Sequence, residues 1–108
     1  MAKYVFVYHG GSVQPSSPEE GLAIMQAWVQ WFASMGDAVI DGGHPVGLSS
    51  TVNSDGSLSA GGGSNPAIGY SLIEATSLED AHQKAKGSPH LKAGGTIEIA
   101  EAIDMSKP

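Results

Sequence analysis

The sequence predicts an α+β domain. Three observations carry that reading. Short runs of β-branched and aromatic residues recur along the chain, as strands require. Two segments with capping signals and helical spacing separate them. Glycines close the first strand and end both helices. The 108 residues hold 41% hydrophobic residues, enough for one modest core. A single domain over residues 1–108 is therefore expected. So short a chain buries a limited share of its surface, which favours a partner subunit.

The first strand runs from Lys3 to His9, with Tyr4, Phe6 and Tyr8 on one face and Val5, Val7 and His9 on the other. Both faces are apolar enough for a central strand covered on both sides. Gly10-Gly11-Ser12 ends it. Ser17-Pro18-Glu19-Glu20 opens a helix: Ser17 caps, Pro18 fits the first turn and Glu20 completes a capping box. The helix is expected from about Pro18 to Ser34, with Gly36 terminating it. At ~100° per residue, Leu22, Met25, Val29 and Phe32 form the centre of its apolar stripe. Ile24, Trp28, Trp31 and Met35 widen that stripe to about half the circumference.

A second strand is expected from Ala38 to His44, with Val39 and Asp41 on one side and Ile40 on the other. Thr51 to Ser59 reads as a small hairpin with Asp55-Gly56 at its tip. Ala60 to Pro66 is a glycine-rich loop. Ile68 to Ala75 is the third main strand, and Ser77-Leu-Glu-Asp80 caps a short helix that stops at Gly87. The last strand runs from Gly94 to Ile103, with Ile97 and Ile99 facing one way and Thr96, Glu98 and Ala100 the other.

With the hairpin set aside, the order is βαββαβ. Right-handed crossovers turn that order into a ferredoxin-like sandwich of strand order 4-1-3-2. Its two helices cover one face of the sheet. The other face still needs burial, and a second copy packed on it yields a homodimeric α/β barrel.

Charge and composition exclude several functions. The formal net charge is −6, and all five basic residues are lysines: Lys3, Lys84, Lys86, Lys92 and Lys107. No basic stripe exists to displace counterions from nucleic acid, so no nucleic acid is expected to bind. Without arginine there is no bidentate clamp for carboxylate or phosphate. Without cysteine there is no disulfide, thiolate chemistry or zinc–cysteine site. The loop from Ala60 to Pro66 joins hairpin to strand rather than strand to helix, so it is no nucleotide cradle. No membrane span and no signal peptide are read, which points to a cytoplasmic protein.

Several segments together resemble a known family. They are the Lys3-Tyr-Val-Phe-Val-Tyr8 opening, the Ser-Pro-Glu-Glu helix start, the hairpin Thr51-Val-Asn-Ser-Asp-Gly-Ser-Leu58, Ile68-Gly-Tyr-Ser-Leu-Ile-Glu74 followed by Ser77-Leu-Glu-Asp-Ala81, and Gly95-Thr-Ile-Glu-Ile99. In order and spacing they are similar to YCII-related proteins, including the DGPF branch, over roughly residues 3–103. The resemblance implies a ferredoxin-like fold, a dimeric barrel and no settled reaction. Some relatives resemble chloromuconolactone dehalogenases, and a His–Asp pair is the proposed active site of the founding branch. Asp41 is placed like the family aspartate. The family histidine lies in or just before the first helix, and this helix has none. Ser59-Ala-Gly-Gly-Gly-Ser-Asn65 stands where the Asp-Gly-Pro-Phe motif would fall.

The candidate site residues are Asp41, His44, His9 and His90. Asp41 and His44 flank Gly42-Gly43, and a carboxylate beside an imidazole is a general-base arrangement near neutral pH. Three residues along a flat strand span about 10 Å, so this pair depends on a bend at the glycines. Antiparallel pairing of the first and last strands brings His9 toward His90, with Asp37 at the same sheet edge. Such a trio suits a divalent metal, although nothing in the spacing demands one, and no metal or cofactor is expected. Loop-edge histidines are ordinarily exposed to water, as is His82 on its helix. Glu98 in the last strand would have a raised pKa if buried without a partner.

Two readings stay open. One is a cofactor-independent enzyme doing lyase-, isomerase- or dehalogenase-like acid–base chemistry on a small organic molecule, with a cofactor-free monooxygenase or muconolactone-processing enzyme as a variant. The other is a non-catalytic ligand-binding or regulatory module.

Overall fold

Tyr4, Phe6 and Tyr8 alternate along β1 (Ala2–Gly10) and are buried together, which makes this strand the axis of the molecule. The computed structural model describes residues 1–11 and 16–106. Ser12, read as part of the strand-ending turn, and Lys107 lie outside the described residues.

After β1 come α1 (Pro18–Met35), a 3-10 turn (Gly36–Ala38), β2 (Val39–Asp41), β3 (Ser50–Val52), β4 (Leu58–Ala60), β5 (Ala67–Ala75), α2 (Leu78–Ala85), α3 (Pro89–Lys92) and β6 (Gly95–Glu101). The fold is mixed α+β. Its main sheet has four strands in the order β2-β5-β1-β6, and each neighbouring pair is antiparallel. β3 and β4 form a separate hairpin, with Gly56 at φ +90° in the tip.

Local chemistry fixes the helix ends. The Ser17 hydroxyl accepts from Glu20 N–H at 3.1 Å, as an N-cap does. The Glu20 carboxylate does not close a capping box on Ser17. It reaches one residue further, accepting from Ser16 N–H at 3.2 Å and from the Ser16 hydroxyl, because Ser16 offers two donors. Those bonds hold the Glu20 carboxyl below its ordinary range. Ser77 caps α2 in the same way, accepting from Asp80 N–H at 3.0 Å. The sequence reading missed α3. Its Ser88-Pro89 start, with Ser88 accepting from His90 N–H at 3.1 Å, repeats the Ser17-Pro18 signal of α1.

The rotation of α1 corrects the expected stripe. Trp31 is 6% exposed, and Trp28, Phe32 and Met35 pack against the same core. Leu22, Met25 and Val29, expected at the stripe's centre, are exposed, with Met25 at 62%. An apolar arc covering half a helix does not specify its own rotation. The aromatic rings win because they remove the most surface from water. Trp31 stacks near Phe6 with centroids 6.4 Å apart and meets Tyr8 edge-on at 6.4 Å. Its Nε1–H donates to Lys84 O at 3.0 Å, tying α1 to α2.

β2 is shorter than expected and is bulged. Val39 lies opposite Ile73 and Asp41 opposite Leu72, with Ile40 the extra residue between them. Val39 and Asp41 therefore sit on opposite faces rather than one, since a bulge reverses the alternation. The chain then turns. Asp41 Oδ1 accepts from Gly43 N–H at 2.8 Å, and Gly43 takes φ +75°. A Cβ at Gly43 would stand 1.7 Å from Tyr70 O, so only glycine fits there.

The molecule measures 46 × 36 × 18 Å. The short dimension fits one helix layer on one sheet at the usual spacing of about 10 Å. The other face carries Val5, Val7 and Leu72, which are half-buried in the single chain. The register sets Val5 beside Leu72 and Ala100, and Val7 beside Tyr70 and Glu98. Among the described residues no helix is long and apolar enough to cross a membrane.

The rotation of α1 is open to test. Trp31→Ala should cost ~3–5 kcal/mol in urea unfolding, whereas Leu22→Ala should stay within ~0.5 kcal/mol of wild type. Equal costs would contradict the observed rotation.

Candidate functional site

A cleft of about 400 Å³ opens between α1 and the turn that follows β2. Met25, Trp28 and Phe32 form the helix wall. Gly42, Gly43, His44 and Pro45 form the opposite wall, with Ile68, Gly69 and Tyr70 of β5, Tyr8 and His90 completing it. This lining contains no lysine and no carboxylate.

Two irregularities shape the cleft. The turn at Gly42-Gly43 brings backbone rather than side chains to the wall. In β5 the pairing with β1 slips: Tyr8 faces Gly69 while His9 faces Ala67, leaving Ile68 as the extra residue. Bulges re-aim side chains beside sites, and Ile68 is aimed into the lining. Simple alternation could not have located it.

A buried hydrogen-bond chain supports the floor. The Ser71 hydroxyl donates to Gly42 O at 2.7 Å, because a carbonyl can only accept. Tyr8 therefore donates its O–H to Ser71 Oγ, at 2.8 Å. Burial pushes the Tyr8 phenol up to about 12, opposed in part by the Ser71 hydrogen bond. Tyr8 is a neutral structural donor here.

His9 and His90 are brought together, as the antiparallel pairing of first and last strands predicts. The expected exposure is overturned: they are 8% and 6% exposed. α3 tucks His90 under the sheet edge, where its Nε2–H donates to His9 O at 2.9 Å. The ring lies so close to β6 that a Cβ at Gly95 would fall 2.1 Å from Nε2.

His9 points its ring the other way. Its Nδ1–H donates to Asn65 O at 3.0 Å, with Pro66 O at 3.3 Å sharing the proton. Its Nε2 lies 2.9 Å from Glu98 Oε1. Both ring nitrogens thus face acceptors, and only the imidazolium can donate to both. The Glu98 hydrogen bond is the largest cause raising the His9 pKa; burial opposes it, and the Pro66 and Asn65 carbonyls add to it. The Glu98 side chain is 66% exposed in the single chain.

Asp41 is not brought to a histidine by any hydrogen bond or ion pair among the described residues. Its carboxylate is exposed and accepts from Gly43 N–H. The bend at the glycines exists, yet it turns the carboxylate onto backbone. His44 is exposed at the cleft wall, its ring 6.1 Å from that of Tyr70, and its carbonyl accepts from Tyr70 N–H at 3.3 Å. His82 is exposed on α2, and Asp37 is exposed in the 3-10 turn. Among the described residues no three of His, Cys, Asp or Glu sit together as a metal-holding group. The sequence reading missed Trp28, Phe32 and Ile68 as lining residues, because helical spacing marks core and cleft alike.

No family model matches the chain, and no curated protein matches it.

Two outcomes follow from this geometry. Ser71→Ala leaves the Tyr8 hydroxyl and Gly42 carbonyl unpaired and should cost ~1–3 kcal/mol by denaturant unfolding; no loss would mean the chain is not closed. For His9, a folded pKa above the unfolded value gives stability that is full below the unfolded pKa. It is lost as pH rises through the raised folded pKa. Thermal melts from about pH 6 to pH 9 should therefore fall in midpoint, and Glu98→Gln should flatten that fall and lower the His9 titration midpoint seen by NMR.

Proposed function

We propose that this chain is a YCII-like, ferredoxin-like module that works as a homodimer and binds a small, largely apolar organic molecule in the cleft beside α1. The observation that carries the binding reading is the cleft itself: about 400 Å³, aromatic on its helix wall, and without a charged carboxylate or lysine in its lining. Pockets of that size and polarity suit small molecules with few polar groups. A soluble anion would meet no countercharge there.

The acid–base reading ranks second. In its favour, His44 and His90 both line the cleft. Against it, Asp41 is engaged by the Gly43 N–H and is absent from the lining. A binding role needs no such pair.

The homodimer rests on the sheet face away from the helices. Val5, Val7 and Leu72 lie along that face and are half-buried in the single chain. A second copy would remove that strip from water, in the manner of interfaces that complete a core.

Sedimentation should give a dimer at micromolar concentration, and Val7→Asp should yield monomer or unfolded chain; a wild-type monomer overturns the assembly. Titration with a neutral aromatic such as toluene should shift the backbone NMR signals of Gly42, Gly43 and Gly69. Shifts elsewhere, or none, overturn the binding site.

A further inference from the structure

We infer that the molecule bound in the cleft is an aromatic compound bearing a neutral hydroxyl, which donates its proton to Nδ1 of His90. The inference rests on the cleft being a binding site, and it names the chemistry read there.

The tautomer of His90 is set by its partner. His9 O is a carbonyl and can only accept, so Nε2 carries the proton that bridges them at 2.9 Å. In the neutral ring Nδ1 is then an acceptor, and among the described residues it has no hydrogen-bond partner. The ring is also held in place. A Cβ on Gly95 would fall 2.1 Å from Nε2 and one on Gly11 3.1 Å from Cε1, so both glycines are closed against it. Tyr8 meets the ring edge-on with centroids 5.5 Å apart, and Trp28 lies at 6.2 Å.

Two of the other polar groups of the lining are committed. Tyr8 donates to Ser71, and the His44 carbonyl receives Tyr70 N–H. His90 lines the cleft, and a fixed acceptor on its ring would select a ligand that offers a proton. A flat apolar ring matches Trp28 and Phe32, and the lack of lysine in the lining favours a neutral hydroxyl over an anion.

The test compares p-cresol with p-methylanisole, which has the same ring but no proton to donate. NMR titration should show p-cresol binding about tenfold tighter, the usual worth of one such hydrogen bond. In His90→Leu the difference between the two probes should vanish. A preference that persists in His90→Leu overturns the inference. Equal binding of both probes to the wild type also overturns it and leaves the cleft reading standing. Binding of neither overturns both. Because His90→Leu removes a buried ring, the wild-type protein supplies a second measurement. Long-range proton–nitrogen NMR should find Nδ1 of His90 unprotonated in the free protein and shifted by p-cresol. A protonated Nδ1 overturns the inference.

Discussion

Trp31 is the contact on which the rest of the structure depends. Its indole rests on Phe6 and Tyr8 of β1, and its N–H is satisfied by the Lys84 carbonyl at the end of α2. One side chain thereby joins the central strand to both long helices. Burying it sets the rotation of α1, and the rotation decides everything else on that helix. Trp28, one turn earlier, is carried to the cleft wall, and Met25 to its mouth. A rotation centred on Leu22 and Val29 would have turned the indoles outward and left no aromatic wall. The cleft is a by-product of how the core is closed.

The strands and helix starts were legible because each is written in local chemistry. Period-two alternation marks β1, and serine followed by proline marks α1. The same reasoning placed β1 beside β6 and so brought His9 to His90. What escaped it shares one physical cause. Ile40 and Ile68 are bulge residues, and a bulge is decided by the neighbouring strand, not by the strand's own pattern. The rotation of α1 escaped because its apolar arc is too broad to have one centre. His9 and Glu98 were both noticed, yet not as partners, since pairing across a diagonal of the sheet depends on register. Asp41 was placed correctly at the end of β2 and misled all the same: the glycines that allow a bend also supply the N–H that captures the carboxylate.

The two buried histidines divide the proton inventory between them. His9 faces acceptors at both nitrogens, and its pKa is raised chiefly by the Glu98 hydrogen bond. His90 donates from one nitrogen only, to the backbone of His9. With both ring nitrogens of His9 engaged, its place is structural: it fastens the end of the glycine loop, at Asn65 and Pro66, to the sheet. His90 is the ring whose second nitrogen has no role within the described fold. Chemistry that needs a proton acceptor therefore points to His90 rather than to the ring beside it.

The two faces of the sheet have different needs. The helix-covered face is satisfied within one chain: its aromatic rings meet one another, and Ser71 accepts the Tyr8 hydroxyl proton. The other face carries Val5, Val7 and Leu72 in a strip, with the His9–Glu98 ion pair at its β6 side. Apolar area alone would let a second copy slide. A charged pair at the border of the strip would resist sliding, since displacement would move apolar side chains over a hydrated ion pair and strand it without water. In the proposed homodimer the strip would supply the attraction and the ion pair the register. The same bond that raises the His9 pKa would then help fix how two copies meet, which ties the loop at Asn65, the His9 ring and the assembly to a single carboxylate on β6.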